Sequence, residues 1–251
     1  VDIYSFAPIA AVLDAAYSVV TALAALLEPI AGAAGSAFAI VLITLALRTV
    51  LIPVGAAQVR AEFTRRRLAP RLQQLQKKYK KNPQLLQQKT MEFYASEKAS
   101  PLAGMLPTLL QAPVLSVVYG LFILPTINGH SNGLLAQHLL GVPLGTSMVH
   151  LLGARPLGPD VLVFAGLLLV IGVVAYAARR VALRFATPLP DDAAPGMRRV
   201  NAALSWLPFL TVLFAALVPL AATVYLTVTT AWTLAERQVL RHRLAPLDYP
   251  V

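Results

Sequence analysis

Phe38-Ala39-Ile40-Val41-Leu42-Ile43-Thr44-Leu45-Ala46-Leu47-Arg48-Thr49-Val50-Leu51-Ile52-Pro53-Val54-Gly55-Ala56-Ala57 is the stretch that decides the fold. It supplies the about 20 apolar residues that a helix needs to cross a hydrocarbon core of roughly 30 Å. Three further stretches meet or approach that length: 102–124, 161–178 and 202–235. At about 1.5 Å per residue the last would extend on the order of 50 Å, too long for one crossing, so it reads as two short spans turning at Pro219. Composition agrees: 57% of the 251 residues are hydrophobic and 13% charged, and a mean hydropathy of +0.68 is too high for a soluble domain. The absence of cysteine excludes disulfides, thiolate metal sites and a cysteine nucleophile.

The net charge of +10 would suggest nucleic acid in a soluble chain, but its distribution tells another story. Apart from Arg48 and Arg155, the 21 basic residues fall in three groups, at 60–98, 179–199 and 237–243. Lys and Arg accumulate in cytoplasmic segments and set orientation. The expected fold is therefore an all-α polytopic membrane protein with five transmembrane helices, N-terminus outside and C-terminus inside. Its divisions are an outer amphipathic segment 1–35, a span 36–57, a cytoplasmic basic hairpin 58–100, a span 101–124 and an outer connection 125–160. A span 161–178, a cytoplasmic loop 179–201, spans 202–218 and 219–236, and a cytoplasmic tail 237–251 complete it.

The leading segment carries Asp14 and Glu28 and is interrupted by Pro8 and Pro29, which suits a helix lying on the outer surface; a sixth, poorly formed span is the alternative. Val1-Asp2-Ile3-Tyr4 lacks the basic flank and small-residue cleavage site of a secretory signal, so the chain reads as starting near its mature end.

Two features exceed what a generic span requires. Arg48 sits about ten residues from either end of the first span, where a guanidinium costs from about 3 to more than about 10 kcal/mol unless it faces a polar cavity or a partner. Snorkelling to the nearer interface is the bland alternative, at a long reach. Gln111 enters the second span to nearly the same depth, and Thr223, Thr227 and Thr230 fall on one face of the last. Threonines in membrane helices often bond their own backbone, which is the competing account of that stripe. With Thr44, these make the candidate groove: Arg48, Gln111, Thr44, Thr223, Thr227 and Thr230. No Asp or Glu is read inside any span, which argues against proton-coupled transport and leaves Arg48 to an acidic group from outside the protein.

The second feature is 58–100, strongly basic yet with Phe63, Leu68, Leu72, Leu75 and Tyr79 at helical spacing, a break at Asn82-Pro83, and Leu86, Phe93 and Tyr94 beyond it. It reads as a helical hairpin whose candidate contact residues are Arg60, Arg65, Arg66, Arg67, Arg71, Lys77, Lys78, Lys80 and Lys81. Ribosomal RNA, anionic lipid or an acidic partner would suit that charge.

From Arg48 to Leu124 the chain resembles the YidC/Oxa/Alb insertase family. The resemblance rests on Arg48 before Pro53, on Leu68-Ala69-Pro70-Arg71-Leu72-Gln73-Gln74-Leu75-Gln76-Lys77-Lys78-Tyr79, and on Ser100-Pro101-Leu102-Ala103-Gly104-Met105-Leu106-Pro107-Thr108-Leu109-Leu110-Gln111-Ala112-Pro113. The last matches the family's NP-L-x-G-x-LP-x-L-x-Q-x-P run, with Ser100 for the opening Asn. Near the C-terminus, Pro219 and Tyr225 persist in Pro219-Leu220-Ala221-Ala222-Thr223-Val224-Tyr225-Leu226, while the family's glycine and tryptophan do not. The resemblance implies a groove open to cytoplasm and lipid, in which Arg48 attracts acidic residues of a nascent membrane-protein substrate whose apolar helix leaves into the phospholipid bilayer. It implies no enzyme, no cofactor and no DNA, with the ribosome and the Sec translocon as further partners, in a bacterial plasma membrane.

The rival reading is a small-anion channel or transporter using Arg48, which would predict internal repeats that the sequence lacks. An intramembrane enzyme fits less well, because His130, His138 and His150 fall in the outer connection and His242 in the tail.

Overall fold

A computed structural model describes residues 4, 6–100, 102–103, 112–153, 158–186 and 195–245. Ten α-helices are formed among them. Helix α1 (Ala7–Ala31) buries Leu13, Val20 and Ala24, which recur every seven and four residues and so share one face. A 3₁₀ turn at Gly32–Ala34 leads into α2 (Gly35–Val50), whose Ala39 and Ile40 are wholly buried. The apolar stretch 36–57 is not one straight helix. Pro53 has no N–H to continue the ladder, and the chain turns at Leu51 before α3 (Ile52–Lys78).

Helix α3 and α4 (Pro83–Ser96) form the hairpin. The Asn82 side chain accepts from the Leu85 N–H at 3.1 Å, capping α4, and Arg67 joins Glu97 at 3.3 Å across the two arms.

After α5 (Ala112–Ile123) the chain, helical over most of its described residues, makes two small β-hairpins. Strand β1 (Thr126–Ile127) pairs with β2 (His130–Ser131), and β3 (His138–Leu139) with β4 (Val142–Pro143), each antiparallel. Asn128 and Gly129, at φ 45° and 84°, make the first turn in the left-handed region that two-residue hairpins need. The buried Asn132 amide donates to the Leu121 and Leu124 carbonyls at 2.7 and 2.9 Å and so closes the end of α5.

The remaining helices are α6 (Met148–Gly153), α7 (Asp160–Arg184), α8 (Pro195–Leu204), α9 (Leu210–Leu217) and α10 (Leu220–Leu244). Val218 is extended and Pro219 precedes the first turn of α10. The first N–H groups of α10 are satisfied from the loop: Leu220 donates to Thr146 at 2.8 Å and Ala221 to Leu144 at 2.9 Å. The main core lies at this end, where Leu13, Ile40, Phe122, Leu144, Phe164 and Leu220 meet.

Among the described residues, three helical stretches are long and apolar enough to cross a membrane: Ala7–Val50, Asp160–Arg184 and Gly196–Leu217. Helix α7 buries Phe164, Ile171 and Ala175 yet exposes Leu162, Leu169 and Val173, so it is apolar all round, as a lipid-facing helix must be. Helix α10 is not in that set; Thr223, Thr227, Thr229, Thr230 and Thr233 dilute its apolar character.

Candidate functional site

Leu51, Gly55, Gln58, Glu62 and Arg65 fall three or four residues apart, or on the next turns, and therefore share one face of α3. Thr233, Glu236 and Arg237 do the same on α10. These faces and Arg48 enclose a cavity of about 450 Å³.

Arg48 is half-buried in the last turn of α2, where the helix's negative end favours a cation. The turn at Leu51 places it at a helix end beside a polar cavity. The cavity also holds a carboxylate that sequence reasoning missed. Glu236, last residue of the expected 219–236 span, accepts from Trp232 Nε1 at 2.9 Å and lies within the field of Arg48. A Cβ at Gly55 would meet Glu236 Oε1, so glycine leaves room for the carboxylate in this position. Glu236 thus places an acid of this chain on the cavity that Arg48 lines.

Other expected groove residues do not converge on Arg48. Thr44 is buried and donates to the Ile40 carbonyl at 2.6 Å. Thr223 donates to Ala215 at 2.8 Å, Thr227 to Thr223 at 2.8 Å and Thr230 to Leu226 at 2.8 Å, so each hydroxyl is engaged by backbone. Thr230 lines a separate cavity of about 200 Å³ between α7 and α10. Gln111 lies outside the described residues.

Of the hairpin cations, Arg65 reaches the Arg48 cavity. It also lines a second one, of about 500 Å³, with Arg60, Arg67 and Lys98. Arg66 turns inward: it pairs with Glu62 at 3.2 Å, donates to the Phe185 carbonyl and stacks on that ring at 4.8 Å. Arg241, also buried, reaches Glu62 at 3.0 Å and covers the same ring at 4.4 Å. Arg71, Lys77, Lys78, Lys80 and Lys81 are exposed.

His130 approaches Asp14 at 3.4 Å and Tyr17 at 5.4 Å between ring centroids, joining α1 to the first β-hairpin. No metal-binding group of His, Asp and Glu occurs among the described residues.

Membrane-length apolar helices, one of them ending at a cavity lined by Arg48 and leading into a basic helical hairpin, define a membrane protein. Residues 27–246 match the family described as 60Kd inner membrane protein, and the chain belongs to that family, the YidC/Oxa1 family. It is 27% identical over 208 residues to the membrane protein insertase YidC of Zymomonas mobilis, covering 82% of this chain and 34% of the relative. The protein of the same name from Allorhizobium ampelinum is 28% identical over 171 residues, 68% of this chain and 26% of the relative. That from Clostridium perfringens is 38% identical over 89 residues, 36% of this chain and 37% of the relative. In these alignments the chain thus spans about a quarter to about a third of each relative's length.

Proposed function

We propose that this chain inserts membrane proteins, or assists their folding, by drawing a polar and often acidic segment of a nascent substrate into the Arg48 cavity. The substrate's apolar helix leaves sideways into lipid. The observation that carries this reading is Arg48 itself, a cation closing an otherwise apolar helix and facing a cavity of about 450 Å³. Membership of a family whose relatives are named insertases supports it.

In this reading the chain crosses the membrane five times, with α1 lying on the outer surface and the hairpin and C-terminus inside. The exposed Val12, Val19 and Leu26 of α1 favour contact with lipid, and the basic groups at 60–98, 179–199 and 237–243 favour the inner side. The exposed cations of the hairpin offer a surface to the ribosome or the Sec translocon.

The physics needs no nucleotide. An acidic side chain at the bilayer centre costs about 2.5–3.5 kcal/mol on insertion scales. A wet cavity shortens the low-dielectric path, Arg48 offsets part of the remainder, and burial of the substrate helix, at about 25 cal/mol per Å² of apolar surface, drives release.

The test depletes the host's own insertase and supplies wild type, Arg48→Ala or Arg48→Lys. Protease accessibility then reports insertion of a single-span substrate with an acidic translocated tail. Insertion by wild type, partial insertion by Arg48→Lys and loss in Arg48→Ala is the expected pattern. Failure of all three, although each is present in the membrane, overturns the reading.

A further inference from the structure

The Arg48 cavity holds two carboxylates, and they are not equivalent. Glu62 is tied at 3.2 Å to Arg66 and at 3.0 Å to Arg241, so its charge is already balanced. Glu236 is held instead by a neutral donor, Trp232 Nε1 at 2.9 Å, with its other oxygen against Gly55. It is half-buried and lines the cavity together with the cations Arg48 and Arg237. A carboxylate fixed in place by a neutral donor, beside cations but, among the described residues, in no ion pair as close as that of Arg241 with Glu62, occupies the kind of position that an incoming acidic side chain would take.

From this we infer that Glu236 is a specificity-determining residue: the resident counter-ion of Arg48, which a substrate carboxylate must outcompete to enter the cavity. The inference rests on the insertion reading above. Its physical basis is that like charges sharing one cation repel, so a single substrate acid meets Glu236 on nearly equal terms, whereas several clustered acids outweigh it. Glu236 thereby sets a charge threshold. Segments with one acidic residue are poorly retained and segments with several are captured. The tryptophan bond and the missing side chain at Gly55 keep the carboxylate in register with Arg48.

The experiment measures insertion of three substrates whose translocated tails carry no, one or three acidic residues. They are presented to wild type, Glu236→Gln, Arg48→Ala and the double variant in cells depleted of the host insertase. Glutamine keeps the size of the side chain and an acceptor for Trp232 while removing the charge. Glu236→Gln is expected to raise the ratio of one-acid to uncharged-tail insertion severalfold and to narrow the gap between one and three acids. In the Arg48→Ala background the same change is expected to leave that ratio where it was. Wild-type ratios in Glu236→Gln, or an equal shift without Arg48, overturn the inference. If wild type and Arg48→Ala insert acidic tails alike, the insertion reading itself fails, which is a separate result.

A second readout does not depend on insertion. The chain has two tryptophans, so Trp206→Phe leaves Trp232 as the sole tryptophan, read by exciting at the red edge where tyrosine does not absorb. In lipid nanodiscs, a peptide of four glutamates is expected to shift Trp232 emission as Glu236 is displaced, and a peptide of four glutamines is not. An emission spectrum that does not respond, or responds equally in Arg48→Ala, overturns the inference.

Discussion

Arg241 and Glu62 lie 179 residues apart in sequence, yet the Arg241 Nη2 sits 3.0 and 3.1 Å from the two carboxylate oxygens of Glu62. The pair joins the root of the hairpin to the end of α10, and Phe185, stacked under both Arg241 and Arg66, brings in the end of α7. Arg241 is buried and its Nε has no hydrogen-bond partner among the described residues, so Glu62 bears most of the work of keeping that cation in place.

Glu62→Gln should therefore cost about 1–3 kcal/mol, less than a fully buried pair because the Glu62 side chain is 32% exposed. A thermal melt in detergent would read the loss. Combining Glu62→Gln with Arg241→Met should recover part of it, since an apolar pair leaves no unpaired buried charge.

Gly55→Ala should change stability by no more than about 1 kcal/mol, because the added Cβ meets the movable end of the Glu236 side chain and alanine is the better helix former. In a double-mutant cycle, alanine at 55 is expected to become more favourable once Glu236→Ala removes the carboxylate. An unchanged effect would place the contact elsewhere.

Thr223→Val should cost about 1–2 kcal/mol. The fully buried hydroxyl bonds the Ala215 carbonyl at 2.8 Å, and valine leaves that acceptor with one partner fewer. Since the bond spans the break at Val218–Pro219, faster amide exchange in α9 than in α7 should accompany the loss.

On the exposed face of α4, hydrogen bonds from Lys89 and then Gln88 hold the Glu92 carboxyl below the usual carboxylate range. The bond to Glu92, and then its charge, raises Lys89 above the ordinary lysine value. Glu92 therefore contributes stability above its unfolded value and loses it as pH falls through its depressed folded value. Lys89 contributes below its unfolded value and loses it as pH rises through its raised one. The pair is complete between those limits. In a carbon-detected titration, Lys89→Met should move the Glu92 midpoint upward, toward that of a free glutamate; an unmoved midpoint would discount Lys89 as the cause.

Arg48 was legible because it is a lone charge in an apolar run, and a hydropathy reading is sensitive to that. Glu236 was not, for the converse reason: it opens a charged stretch, and a span is read as ending where charges begin. Helix α10 nevertheless continues to Leu244 and carries Glu236 on the face of Thr233. The Thr223–Thr227–Thr230 spacing puts three residues on one face of the helix, but periodicity does not say where a hydroxyl points, and Thr227 and Thr230 each bond a carbonyl one turn back. The first β-hairpin carried a signal in Asn128-Gly129 behind Thr126-Ile127; the second, turning at Leu140-Gly141, carried almost none, since leucine seldom adopts a φ of 51°.

Mechanically, α3 is a cantilever. Its root is clamped on two sides, at Leu51 and at the Glu62–Arg66–Arg241 knot, while the twelve residues from Arg67 to Lys78 reach about 18 Å beyond the clamp. Pro70 lies just past it and cannot donate to the Arg66 carbonyl, so the beam is weakest immediately outside its support. A load on the hairpin tip bends the arm at Pro70, and the wall of the Arg48 cavity stays where it is.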